Sequence, residues 1–178
     1  LAGQAGDVWQ RTLKEMQALK IGTTQENPPS LQEVLEFVAG RVPLVIELKG
    51  VPGHDDGLVR QLGRLLKDYR GEVAVMSFDH WIVRQFARET PDIPYGLTAM
   101  GKTMPDIEGH FSMLAHGISF VSYDVEALPN PFVTFVRQRL KMPVITWTVQ
   151  TPEHVEMTRQ HADQMTFEGF EPRLDEIA

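Results

Sequence analysis

Short apolar runs alternate with amphipathic segments from about residue 30 to residue 170, and this rhythm limits the fold more than any other feature of the sequence. The runs at 42–49, 72–78, 93–99, 118–125, 143–149 and 165–170 read as strands, each bounded by turn or capping residues. Between them apolar residues return at helical spacing. Leu31, Val34, Leu35 and Val38 form one stripe, and Val59, Leu62, Leu66 and Tyr69 another. Ile82, Val83 and Phe86 form a third, and Phe132, Phe135, Val136 and Leu140 a fourth. A further helix is predicted across 106–115. The starts of these helices carry their own chemistry. Ser30 and Glu33 make a capping-box pattern, with Gly40 as the stop. Asp79 is a cap, and Asn130-Pro131 and Thr151-Pro152-Glu153 each set a capping side chain before a proline.

Near-continuous apolar strands separated by helices predict a parallel sheet covered on both faces. Such a repeat builds either a doubly wound sheet or a (β/α)8 barrel, and six strands are two fewer than a barrel needs. No Gly-x-Gly-x-x-Gly follows a strand and no Walker sequence is present, so a nucleotide fold gains no support. The first 29 residues stand outside the rhythm. Val8, Trp9, Leu13, Met16, Leu19 and Ile21 suggest one short helix and a packed loop. The tail to Ala178 is polar.

At 178 residues and 42% apolar, the chain has the material for one domain with a substantial core. A formal net charge of −7 argues against non-specific nucleic-acid binding. Cysteine is absent, which excludes disulfides, thiolate metal sites and thiol nucleophiles. No apolar run approaches the roughly 18 residues of a membrane span. No signal segment is visible, although the first residue is Leu1 and not Met. A cytoplasmic location is the expectation.

The chemistry concentrates at the end of the first strand, Val45-Ile46-Glu47-Leu48-Lys49. A strand repeats every two residues, so Glu47 and Lys49 project to one side at its C-terminal end. That is the end where parallel α/β folds carry their sites. A carboxylate there can ligate a hard cation, and the ammonium can neutralise a phosphate oxygen. The two can equally form a plain ion pair.

In order along the chain, Pro29-Ser30-Leu31-Gln32-Glu33-Val34-Leu35, Val45-Ile46-Glu47-Leu48-Lys49, Val75-Met76-Ser77-Phe78-Asp79 and Ile145-Thr146-Trp147-Thr148-Val149 resemble segments of the glycerophosphodiester phosphodiesterase family. The stretch Ala162–Phe170 occupies the place of that family's last barrel strand. The resemblance implies an α/β, (β/α)8 TIM barrel lacking its first two strands, with residues 1–178 forming a single partial barrel of strands three to eight. It also implies metal-dependent hydrolysis of a glycerophosphodiester to an alcohol and glycerol 3-phosphate, with Mg2+ or Ca2+. Glu47 would supply one metal ligand and Lys49 would contact phosphate. Phe78 and Trp147 would form an apolar wall, and Tyr123 would be a further substrate-lining residue.

The two catalytic histidines of the family, and most of its metal ligands, belong upstream of the matched segments. No catalytic residue is therefore assigned in this chain. The parent protein would be the enzyme, with this piece inactive alone. The alternative is a non-catalytic binding or interaction module on a shortened barrel. Its open strand edges would need a homo-oligomer or a preceding segment to cover them. Six histidines remain. His54, with Asp55, is expected at the rim, and His80 at the rim or in the first helical turn after Asp79. His110 and His116 are expected on the surface or at an interface, and His154 and His161 on a solvated helix face. Glu168 is expected as a polar residue near the last strand's end.

Overall fold

The computed structural model describes residues 3–173; the polar tail at 174–178 lies outside the described residues. Six strands form one sheet: β1 (Leu44–Glu47), β2 (Val73–Ser77), β3 (Tyr95–Ala99), β4 (Phe120–Asp124), β5 (Val144–Val149) and β6 (Gln164–Phe167). Their spatial order is their chain order, β1-β2-β3-β4-β5-β6. The pairings from β2 to β6 are parallel. A doubly wound sheet reverses its order at a switch point, whereas a barrel adds each strand beside the last. The unbroken order therefore selects the TIM-barrel type of α/β fold, of which this chain has six strands.

The strands are shorter than the apolar runs suggest. Pro43 has no N–H to donate, so β1 begins after it. β6 ends at Phe167, two residues before Gly169, whose φ of +81° is left-handed. The helix expected at 106–115 spans Met104–Met113. It begins earlier because Thr103 and Asp106 form a capping box that the apolar pattern does not reveal.

Contacts group the chain into two compact units. One comprises the described residues up to Leu44 together with Val51–Glu72. It holds α1 (Leu13–Gln17), α2 (Leu31–Val38) and α3 (Leu58–Leu66). The Ser30 hydroxyl accepts the Glu33 N–H, and the Glu33 carboxylate accepts the Ser30 N–H at 2.7 Å. Val59, Leu62 and Leu66 form the buried stripe of α3. The expected packing of the first residues does not hold. Thr12 and Glu15 cap α1 well, but a five-residue helix has little apolar face, and Val8, Trp9 and Leu13 remain exposed. Trp9 instead stacks on His54, with ring centroids 5.0 Å apart.

The other unit comprises Val45–Gly50 and the residues from Val73 on. Here α4 (His80–Glu89), α5 (Met104–Met113), α6 (Pro131–Gln138) and α7 (Pro152–His161) follow β2, β3, β4 and β5. Each N-terminus is capped by a side chain, from Asp79, Thr103, Asn130 and Thr151 respectively. Leu97 and Ala99 of β3, Val121 and Tyr123 of β4, and Val144 of β5 share one buried cluster with Val83, Ile107, Phe132 and Val136 of the helices. These strand residues therefore define the helix-facing side of the sheet. Their alternates, among them Gly96, Thr98, Phe120, Ser122, Ile145 and Trp147, face the other way.

Candidate substrate-binding site

Register places Glu47 and Lys49. The Leu48 N–H donates to the Met76 carbonyl at 2.8 Å, which sets Leu48 beside Ser77. Ser77 pairs in turn with Leu97, on the helix-facing side. Glu47 and Lys49 thus lie on the opposite face, together with Met76 and Phe78. Phe78 meets Trp147 edge-to-face on that side, with ring centroids 5.2 Å apart. Lower on the same face the Phe120 ring lies over Gly96, where a Cβ would fall 2.5 Å from the ring. Glycine at 96 is what lets that ring lie down as a floor.

The Lys49 ammonium stands 3.1 Å from Glu47 Oε1. The Lys49 side chain is 77% exposed and that of Glu47 only 24%. An ion pair of this kind, one end in water, contributes at most about 1 kcal/mol. It also lacks hydrogen-bond alignment, so Glu47 Oε1 remains an unsatisfied acceptor. A ligand can therefore displace the lysine at small cost.

Glu47 Oε1 is one of four such atoms. Among the described residues, the buried side-chain polar atoms without a hydrogen-bond partner are Glu47 Oε1, Thr98 Oγ1, Ser122 Oγ and Trp147 Nε1. Thr98 and Ser122 are paired across β3 and β4, and Trp147 pairs with Asp124, two residues beyond Ser122. All four project from the face that carries Lys49 and Phe78. Folded proteins leave few buried polar groups unpaired, because each costs about 1–3 kcal/mol. Four such atoms lie together on this one face. The set mixes an acceptor, an indole donor and two hydroxyls that can do either, beside the exposed Lys49 ammonium.

The helix-facing side is different. Ser77 Oγ donates to the Leu48 carbonyl at 2.6 Å. Thr146 and Thr158 hydroxyls are 2.6 Å apart, and Thr158 also donates to the His154 carbonyl. Tyr123, expected to line the substrate site, lies on this side and is fully buried. Its hydroxyl donates to the Gly101 carbonyl at 2.8 Å and meets His110 Nδ1 at 3.2 Å. Burial, with Asp106 and Asp124 nearby, raises its pKa to about 12, so the phenol keeps its proton. That proton goes to Gly101, so His110 Nδ1 must be the donor in the second bond. Tyr123 is a packing residue, and it does not share the face of Trp147.

His110 also departs from expectation: it is buried among Tyr123, Phe132 and His80, not at the surface. Burial and then the neighbouring His80 lower its pKa, against an opposing pull from Asp106. His80, at the start of α4, is lowered by burial and Arg84, against Asp79. His154 is half-buried and accepts the Gln150 N–H, and Glu168 accepts from the Gln150 side chain at 3.0 Å. None of the six histidines lies on a strand. Among the described residues no group of three or more histidines and carboxylates could hold a metal ion. Glu47 fits a hard cation as a single oxygen ligand, well short of the six to eight that Ca2+ usually takes. No helix among the described residues is long and apolar enough to cross a membrane.

The sequence model of the glycerophosphoryl diester phosphodiesterase family matches residues 1–167. The chain belongs to that family. Among solved structures it is similar to a candidate glycerophosphoryl diester phosphodiesterase from Silicibacter pomeroyi, with a TM-score of 0.77 and 22% identity over 94% of this chain and 68% of that one. A phosphodiesterase from Oleispira antarctica, in complex with the product sn-glycerol-3-phosphate, matches with a TM-score of 0.75 and 17% identity over 91% of this chain and 68% of that one. A glycerophosphodiester phosphodiesterase from Parabacteroides distasonis matches with a TM-score of 0.67 and 18% identity over 88% and 66%. The chain thus spans about two thirds of each structure's length, and at these identities the likeness is one of fold. No curated protein matches the chain by sequence.

Proposed function

We propose that the face bearing Glu47, Lys49, Phe78 and Trp147 binds a glycerophosphodiester, and that the protein to which this chain belongs hydrolyses it to an alcohol and glycerol 3-phosphate with the help of Mg2+ or Ca2+. The observation that carries this reading is the gathering, on one sheet face beside a displaceable lysine, of the buried side-chain polar atoms that make no hydrogen bond among the described residues. Family membership names the class of ligand. The sn-glycerol-3-phosphate bound in the Oleispira antarctica enzyme is consistent with that class.

Each residue then has a physical task. Lys49 swings from Glu47 to a phosphate oxygen and offsets the charge that builds there during hydrolysis. The Trp147 indole donates to a phosphate or hydroxyl oxygen, while its ring and that of Phe78 exclude water from the carbon chain. Glu47 contributes one oxygen to the cation, which when bound would polarise the phosphodiester. The described residues do not complete that shell, and the strands bring no histidine to act as acid or base. A second reading is a binding module built on the same barrel.

Release of glycerol 3-phosphate from glycerophosphocholine by the protein to which this chain belongs, with and without added Mg2+ or Ca2+, separates the readings. Metal-dependent turnover that falls at least about a hundredfold in Glu47→Gln supports the hydrolase, since that change removes a charge and keeps the shape. Turnover unchanged in Glu47→Gln would remove Glu47 from the cation site. Saturable binding of glycerol 3-phosphate without turnover supports the binding module.

A further inference from the structure

Thr98 and Ser122 are 3% and 0% exposed, and each carries a hydroxyl with no partner. They are paired residues on adjacent strands, so their Cα atoms stand about 4.8 Å apart and their side chains point the same way. Buried hydroxyls elsewhere in this unit are satisfied. Ser77 donates to the Leu48 carbonyl, Thr90 to the Phe86 carbonyl, and Thr146 and Thr158 bond to each other. Local geometry therefore offers this sequence ordinary ways to pair a buried hydroxyl, and positions 98 and 122 use none of them. The two residues above and beside them, Trp147 and Phe78, are the aromatic wall; the Phe120 ring over Gly96 is the floor.

The chemistry selects the ligand group. Neither hydroxyl carries charge, and Lys49 already supplies the cation a phosphate needs. A neutral hydroxyl pair, each member able to donate and accept, complements a neutral group with the same double capacity. A polyol end is such a group. We propose that Thr98 and Ser122 form a hydroxyl pair that holds the polyol end of the ligand, with Lys49 holding its anionic end, and so set specificity for glycerol over other substituents on the phosphate. The proposal rests on the glycerophosphodiester reading above.

The test is calorimetric titration of the full chain with sn-glycerol 3-phosphate and, separately, with inorganic phosphate. Thr98→Val and Ser122→Ala are each expected to weaken glycerol 3-phosphate about tenfold, the loss of roughly one buried hydrogen bond. Inorganic phosphate affinity is expected to stay at the wild-type value, and Thr98→Ser to bind glycerol 3-phosphate as the wild type does. The ligand-free melting temperature of Thr98→Val should stay level or rise, because an unpaired hydroxyl has been replaced by a methyl of the same shape. Unchanged affinity for glycerol 3-phosphate in both variants would overturn the pair and leave the broader reading standing. Equal losses for both ligands would overturn the assignment to the polyol end. A lowered melting temperature in both ligand-free variants would make the hydroxyls structural. A wild-type chain that binds neither ligand would sink the glycerophosphodiester reading, and the pair with it.

Discussion

The two faces of this sheet are built from similar residues to opposite ends. Toward the helices lie Ser77, Tyr123 and Thr146, each buried and each hydrogen-bonded. Toward the other side lie Glu47, Thr98, Ser122 and Trp147, each with a buried polar atom that makes no hydrogen bond. The difference is not one of composition, since serine and threonine stand on both. It lies in whether the fold itself supplies the partner. A face that closes its own hydrogen bonds adds to stability; one that leaves them open forgoes that stability until a ligand arrives.

The sharpest way to break this contrast is to remove one hydroxyl from the closed face. Tyr123→Phe keeps the ring in the cluster and strips partners from the Gly101 carbonyl and His110 Nδ1. It is expected to cost about 1–3 kcal/mol of unfolding free energy, read by urea denaturation, with glycerol 3-phosphate affinity unchanged. Thr98→Val should do the reverse. A Tyr123→Phe variant as stable as wild type would erase the distinction between the faces.

A smaller effect sharpens the same contrast through pH. His110 is held neutral by burial and by His80, so its folded pKa lies below its ordinary value of 6.5. The unfolded chain then binds the proton more readily. The stability due to this burial is present above about pH 6.5 and is lost as pH falls from there toward the lowered folded value. His80 titrates in the same direction. Melting temperature should therefore drop between pH 7.5 and 5.5, and drop less in His110→Gln. An identical drop in His110→Gln would assign the effect to other groups.

Much of the framework was legible in the residues. Spacing located six strands and the caps at Ser30, Asp79, Asn130 and Thr151, because apolar period and capping are local properties. The period of two was enough to put Glu47 and Lys49 side by side, and both faces of the Phe78–Trp147 contact came from strand ends read as one wall. What could not be read was which side of a strand buried on both faces meets the helices. Tyr123 and Ser122 are neighbours in sequence, and only the register with Val121 and Val144 tells them apart. For the same reason Thr98 and Ser122 gave no signal. In sequence they look like Thr146, and the distinction is a hydroxyl from α7 that reaches one of them and not the others. His110 was misplaced because its partner is 13 residues away on another element.

The most direct test of the open face is the indole N–H spectrum of the chain as sn-glycerol 3-phosphate is added. The three tryptophans report from separate places: Trp9 stacks on His54, Trp81 is exposed on α4, and Trp147 stands on the sheet face with its Nε1 unpartnered. The account predicts that the Trp147 indole resonance moves with saturation while those of Trp9 and Trp81 stay in place. A fixed Trp147 resonance at ligand concentrations that saturate binding would contradict it.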